Sequence, residues 1–275
     1  MMCLLMLTLI CGLISYLFSL ISSNPWLWFA WIPLGLITTL VLFAGWIYLI
    51  CLPIISKISP NNKLKIFYSV HVLKMVNLLF GVRVKVEGKE NLTNEHKVLY
   101  VANHKSNLDP FFMFEAMKVK GPAAACKSDL WNIPPFVPFL NAFHMIKINR
   151  SSDRDAAKSI VEGIKFMKEG NGIILFPEGG IKTREVEQMV SIKPGAYKLA
   201  TKSDAIIQPM AILGASKVDS RKFFDPIITV TVRFLPFITP EDYKDLNTHE
   251  LAYKVLHAVN DNFPDEEKIQ IEEEN

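Results

Sequence analysis

The sequence predicts an α/β fold, a mixed and partly parallel sheet flanked by helices, preceded by an N-terminal membrane-embedded helical pair. Three observations predict it. Residues 1–56 contain no Asp, Glu, Lys, Arg or His. Beyond residue 80, short β-rich runs alternate with longer stretches of helical periodicity, the order that builds a sheet covered on both faces. Three of the short runs are followed by unusually polar loops, where α/β proteins place their chemistry.

The apolar leader comes first. Residues 1–21 are nearly all Leu, Ile, Met, Phe and Cys, and about twenty such residues in a helix span the roughly 30 Å hydrocarbon core. Ser22-Ser23-Asn24-Pro25 then breaks the run, and residues 26–55 form a second apolar stretch that opens with Trp26, Trp28 and Trp31. Tryptophans grouped this way suit a headgroup interface. Pro33 and Gly35 interrupt the second stretch, so the sequence admits two full spans or a hairpin that enters one leaflet. A cleaved signal peptide fits poorly, since the leader has no basic n-region and its apolar run is too long. Lys57, Lys63, Lys65 and Lys74 follow, which by the positive-inside rule puts the body in the cytoplasm. Residues 61–80 read as a helix mixing apolar and basic residues, lying on the membrane surface or packing on the soluble core.

In the body, strands are predicted at 82–87, 98–102, 172–176, 206–213 and 224–234, with helices at 110–117, 153–169, 195–202 and 248–263. The tail 265–275 carries −5 and residues 57–264 carry +8. A basic body behind an apolar leader suggests anionic surfaces or small anionic substrates. No nucleic-acid partner is expected, because no zinc-finger, RRM or basic-helix pattern is present. The four cysteines, Cys3, Cys11, Cys51 and Cys126, match no metal or disulfide spacing. The histidines outside the polar loops lack close partners, so no metal is expected.

The loop after 98–102 reads Asn103-His104-Lys105-Ser106-Asn107-Leu108-Asp109-Pro110. On a continuous helix five positions would separate His104 and Asp109 by roughly 140°; they meet only if the loop curls. Asp109 before Pro110 also makes a good helix N-cap. Further on stand Ala125-Cys126-Lys127-Ser128-Asp129-Leu130, then Ile133-Pro134-Pro135-Phe136 and Ile148-Asn149-Arg150. Phe176-Pro177-Glu178-Gly179, Lys193-Pro194-Gly195-Ala196-Tyr197-Lys198-Leu199-Ala200 and residues 206–212 complete the series. In this order, over roughly residues 86–213, the blocks resemble the glycerolipid acyltransferase family, specifically the 1-acylglycerol-3-phosphate acyltransferases with their N-H-x-S-x-x-D, F-P-E-G and K-x-G-A-x-x-L-A motifs. One departure stands out. The family's E-G-T-R would put an arginine three positions after Glu178, where this chain has Ile181; Lys182 and Arg184 are the substitutes at hand.

The hydropathy and charge pattern divides the chain into a membrane hairpin at 1–56, a basic interfacial or connecting helix at 57–80, an α/β domain at 81–264 and an acidic tail at 265–275, and the resemblance makes the α/β domain an acyltransferase. It implies transfer of a fatty acyl group from a thioester, on coenzyme A or acyl carrier protein, to the sn-2 hydroxyl of 1-acylglycerol 3-phosphate, giving phosphatidic acid. The thioester is then a co-substrate, not a bound cofactor, and membrane lipid is the partner. His104 is the expected general base, since imidazole titrates near neutrality, with Asp109 orienting it as in a Ser-His-Asp triad. No G-x-S-x-G elbow is present, which counts against a hydrolase of that fold. Lys127, Arg150, Lys182, Arg184 and Lys193 are the candidate phosphate ligands. Glu178 is expected to pair with an arginine or hold a glycerol hydroxyl, and Gly179 to let backbone N–H groups approach an anion. Phe111, Phe112, Met113, Phe114, Trp131, Phe136, Phe139 and Phe143 are candidates for an acyl groove or for the core. Glycerol 3-phosphate or a lysophospholipid as acceptor, and a membrane-anchored lipid-binding module without catalysis, are the rival readings.

Overall fold

The computed structural model describes residues 2–21, 28–117, 123–148, 152–222 and 224–263. Trp26, Arg150 and the acidic tail lie outside them. The chain divides into two compact units, Met1–Lys57 and Ile58–Asn275.

Over its described residues the first unit consists of helices and short turns: α1 (Met2–Ser19), α2 (Trp28–Trp46), a π-helical turn (Ile47–Cys51) and α3 (Leu52–Ser56). The expected helical pair is present. The Phe18 and Trp31 rings stack at 5.8 Å, and Ser15 faces Gly35 so closely that a Cβ at position 35 would collide with its hydroxyl. Small residues at a helix crossing permit that approach in an apolar medium. Ser15 bonds the carbonyl of Cys11 at 2.8 Å and Thr39 that of Gly35 at 2.7 Å, so each hydroxyl is satisfied inside its own helix. Pro33 and Gly35 do not end α2; the irregularity falls later, at the π-turn. Among the described residues one helix, Ala30–Ser56, is long and apolar enough to cross a membrane.

The second unit opens with α4 (Lys63–Leu79), capped by Asn62, whose side chain accepts from the N–H groups of Leu64 and Lys65. Its inner face of Ile66, Ser69, Leu73 and Asn77 is buried, and Asn77 donates to Glu115 at 2.7 Å. Of the two readings open for this segment, packing on the soluble core is met on that face, while Leu64, Phe67 and Tyr68 stay exposed.

The elements that follow are β1 (Val82–Glu87), β2 (Val98–Ala102), α5 (Asp109–Met117), β3 (Ala123–Lys127), α6 (Val137–Ala142), β4 (Ile146–Ile148), α7 (Asp153–Lys168), β5 (Ile173–Leu175), α8 (Lys198–Thr201), β6 (Ile206–Leu213), β7 (Ile228–Phe234) and α9 (Thr248–Asn260). The seven strands form one sheet in the order β1-β7-β6-β2-β5-β3-β4. All neighbours run parallel except β6 and β7. The sheet is therefore mixed and mostly parallel. β2 is buried at all five positions, as expected of a strand covered on both faces. Leu99 and Val101 pack with Ile173, Leu175, Ile207 and α9 in one core cluster; by alternation Val98 and Tyr100 face the side of the sheet opposite. α9 begins at a reciprocal cap in which Asn247 and Glu250 bond each other's backbone N–H.

Two strands, β3 and β4, were not predicted. β3 is Ala-Ala-Ala-Cys-Lys, a composition that favours helix, and β4 has three residues. The predicted strand 224–234 begins only at Ile228.

Candidate active site

Strands β6, β2 and β5 are adjacent and parallel, so the loops leaving their carboxyl ends share one edge of the sheet. Those loops hold Asp219, His104 and Glu178 respectively.

Asn103 anchors the first loop. Fully buried, it donates to the carbonyls of Ile212 at 2.7 Å and Glu187 at 2.8 Å and accepts from the Ile212 N–H at 2.8 Å. The chain then curls. His104 Nδ1 lies 2.9 Å from Asp109 Oδ2, and the same oxygen accepts the N–H groups of Lys105 at 2.7 Å and Ser106 at 2.9 Å. The carboxylate thus turns back onto its own upstream loop. It does not cap the helix it begins: the Phe111 and Phe112 N–H groups bond the Leu108 carbonyl instead. Because a carboxylate can only accept, Nδ1 carries the ring proton and Nε2 presents its lone pair. The ring stacks on Phe176 at 4.2 Å with planes 18° apart, and the side chain keeps 17% exposure where Asp109 has none. Burial raises the Asp109 carboxyl above its ordinary range, partly offset by its hydrogen bonds to His104, Ser106 and Lys105.

Glu178 corrects one expectation. It has no exposure and forms an ion pair with the equally buried Lys105 at 3.3 Å. It also accepts the His104 N–H at 3.0 Å and the Val190 N–H at 3.2 Å. With both oxygens engaged inside the protein, it holds the His104 loop in place. Its partner is a lysine, not an arginine. Burial pushes its carboxyl upward against the pull of Lys105. The Gly179 N–H closes the turn on the Phe176 carbonyl at 3.0 Å. At φ +76°, a Cβ on it would come within 2.8 Å of Lys193 Cε, so the glycine lets the lysine stem cross the loop.

The expected cations divide. Lys193 lies over Gly179 and Lys182 is exposed in the same loop. Arg184 Nη2 bonds Asp219 Oδ2 at 2.6 Å. Asp219 in turn takes Ser106 Oγ at 2.5 Å and Asn107 Nδ2 at 2.9 Å, so Arg184 is joined to the His104 loop. Lys127, largely exposed at the end of β3, pairs with the equally exposed Asp129; no bond joins it to that loop. Arg150 falls outside the described residues. Of the candidate groove residues, Phe112 and Met113 are fully buried and Phe114 nearly so. Phe139 sits 5.4 Å from Phe111 and 4.5 Å from Phe143, a cluster between α5 and α6. Trp131 lies under the Lys147 ammonium at 5.8 Å. Phe112 is therefore core.

Sequence reasoning missed Asp219, which no motif marks, and the supporting roles of Lys105 and Phe176.

Residues 83–213 match the family model described as Acyltransferase. The 1-acyl-sn-glycerol-3-phosphate acyltransferase of Limnanthes douglasii is 28% identical over 188 residues, which cover 67% of this chain and 64% of that one. The enzyme of that name from Saccharomyces cerevisiae is 30% identical over 198 residues, 70% of this chain and 62% of its own. The chain thus spans just under two thirds of the length of these curated relatives. The crystal structure of the 1-acyl-sn-glycerophosphate (LPA) acyltransferase PlsC from Thermotoga maritima matches with a TM-score of 0.61 at 20% identity, covering 80% of this chain and 89% of that one. At that identity the likeness is one of fold.

Proposed function

Because residues 83–213 match the Acyltransferase family model, we propose that this chain moves a fatty acyl group from an acyl thioester, on coenzyme A or acyl carrier protein, to the sn-2 hydroxyl of 1-acylglycerol 3-phosphate. The observation that carries the reading is the 2.9 Å contact between His104 Nδ1 and Asp109 Oδ2, which leaves Nε2 as the ring's open nitrogen.

His104 Nε2 takes the proton of the acceptor hydroxyl as its oxygen attacks the thioester carbonyl. The tetrahedral intermediate collapses, the C–S bond breaks, and the imidazolium returns the proton to the departing thiolate. The products are phosphatidic acid and a free thiol, and no acyl-enzyme is needed. Asp109 stabilises the imidazolium between the two transfers. Arg184 and Lys193, two of the cations on the loops around His104, would take the acceptor phosphate, arginine offering the bidentate fork that suits it. The charge-free leader would hold the chain at the bilayer that contains acceptor and product, with the basic body on the cytoplasmic side.

The test is acyl transfer by the detergent-solubilised full chain with labelled acyl-CoA or acyl carrier protein and, in separate arms, lysophosphatidic acid, glycerol 3-phosphate and a lysophospholipid. Transfer to lysophosphatidic acid above the other acceptors, lost in His104→Ala, is the expected result. A His104→Ala protein with parental turnover would overturn the reading.

A further inference from the structure

Asp219 lies in the loop after β6 and its carboxylate is 19% exposed. Both of its oxygens point at the site. Oδ1 accepts Ser106 Oγ at 2.5 Å, while Oδ2 accepts Asn107 Nδ2 at 2.9 Å, the Asn107 N–H at 3.3 Å and Arg184 Nη2 at 2.6 Å. Ser106 is therefore gripped from two sides, because its own N–H goes to Asp109 Oδ2 at 2.9 Å. The loop bearing Asp219 is itself fastened: Glu187 Oε1 accepts the Ser216 N–H at 3.1 Å and its hydroxyl at 2.6 Å, and the Glu187 carbonyl accepts Asn103 Nδ2. Three loops that lie far apart in sequence are in this way cross-tied around one carboxylate.

The tie bears on the departure noted in the sequence. Where the related motif has an arginine three positions after its glutamate, this chain has Ile181 and an arginine six positions after Glu178. A longer detour leaves a guanidinium free to wander unless something fixes it. Asp219 occupies one of its nitrogens, and the remaining N–H groups of the fork stay available to an anion. The Arg184 side chain keeps 42% exposure, so it can meet a ligand from solvent without leaving its partner.

We propose that Asp219 is a positioning residue of the acyl-transfer site, holding the His104 loop with one oxygen and Arg184 with the other, so that base and phosphate-binding cation keep a fixed separation. The assignment rests on the acyl-transfer reading above and adds to it a residue outside the matched segment. It explains how an arginine displaced along the loop still serves the same acceptor.

Asp219→Asn keeps an oxygen for Ser106 and removes the charge that holds Arg184. In the full chain it raises KM for lysophosphatidic acid about tenfold with kcat changed less than about threefold, the scale of one charge-assisted hydrogen bond. Arg184→Ala gives a similar rise, and the double variant is no worse than Arg184→Ala alone. Asp219→Ala also frees Ser106 and Asn107, so kcat falls as well, and amide exchange across residues 104–108 quickens in the same sample. If KM and kcat of a folded Asp219→Asn protein stay within twofold of the parent, or if its penalty multiplies with that of Arg184→Ala, the role is overturned while the function stands. A parent chain that acylates none of the acceptors overturns the function and this role with it. Asp219→Ala with parental exchange at residues 104–108 overturns the loop-holding half whatever the kinetics.

Discussion

His104 Nδ1 and Asp109 Oδ2 stand 2.9 Å apart across a loop that also turns two backbone N–H groups onto the same carboxylate oxygen. Asp109 thus does two things at once: it shapes the loop and it fixes the ring tautomer. Asp109→Asn preserves an acceptor for the loop but presents an amide to the ring. Transfer is expected to fall by about 10³ to 10⁴, on the scale of the corresponding change in a Ser-His-Asp triad. Steady-state rates measured beside thermal melts check this, and a drop of less than tenfold in a folded variant refutes it.

The two buried carboxyls set a sign for stability against pH. Burial raises Asp109 and Glu178 above the ordinary carboxylate range. A raised pKa means the folded state keeps its proton where the unfolded chain has lost it, so each group's contribution is full at low pH and is lost as pH rises through the folded value. Asp219 runs the other way. Burial would raise it, but Ser106 and Arg184 hold it below its usual range, so its contribution is full at higher pH and is lost as pH falls through the folded value. The melting temperature of the parent relative to Asp109→Asn therefore declines as pH rises above about 4, and relative to Asp219→Asn it declines as pH falls below about 4. Parallel melts across that range, with either difference flat or reversed, would contradict the assignment.

Lys105 and Glu178 form a pair without solvent contact. Removing one charge strands the other, a loss of about 3–5 kcal/mol where both groups are buried. Glu178→Gln and Lys105→Met should each destabilise strongly, and the double variant should lose much less than the two together. Denaturant melts of the full chain in detergent give the comparison; additive losses would mean the pair does not act as a unit.

Much of this architecture was legible in the chain. The buried strands β2 and β6 declare themselves as apolar runs, and both were placed with their observed bounds. The motif loop announced which residues mattered, and its spacing required a curl. What closes that curl could not be read, since Glu178 and Asp219 reach it from 74 and 113 positions away, as the bonds to His104 and Ser106 show. Local grammar also misled. Asp before Pro reads as a cap, yet two upstream N–H groups and an imidazole compete for the same carboxylate and win. The alanines of β3 favour helix by themselves, and only pairing with β5 and β4 extends them.

Two cations, Lys182 and Arg184, stand where they could replace the arginine absent at position 181. Lys182 is exposed, and a solvated ammonium on a flexible stem must lose rotamer freedom to bind. Arg184 is already held at 2.6 Å by Asp219, so less freedom remains to be lost when a phosphate arrives. Arg184→Ala is therefore expected to raise KM for lysophosphatidic acid about tenfold or more, with Lys182→Ala within about threefold of the parent. Monoacylglycerol, which keeps the hydroxyl but lacks the phosphate, supplies the control, because loss of a phosphate contact cannot weaken an acceptor without one. Both KM values should be measured on each variant. An Arg184→Ala protein impaired equally toward the two acceptors would assign that side chain to the shape of the loop and not to the phosphate.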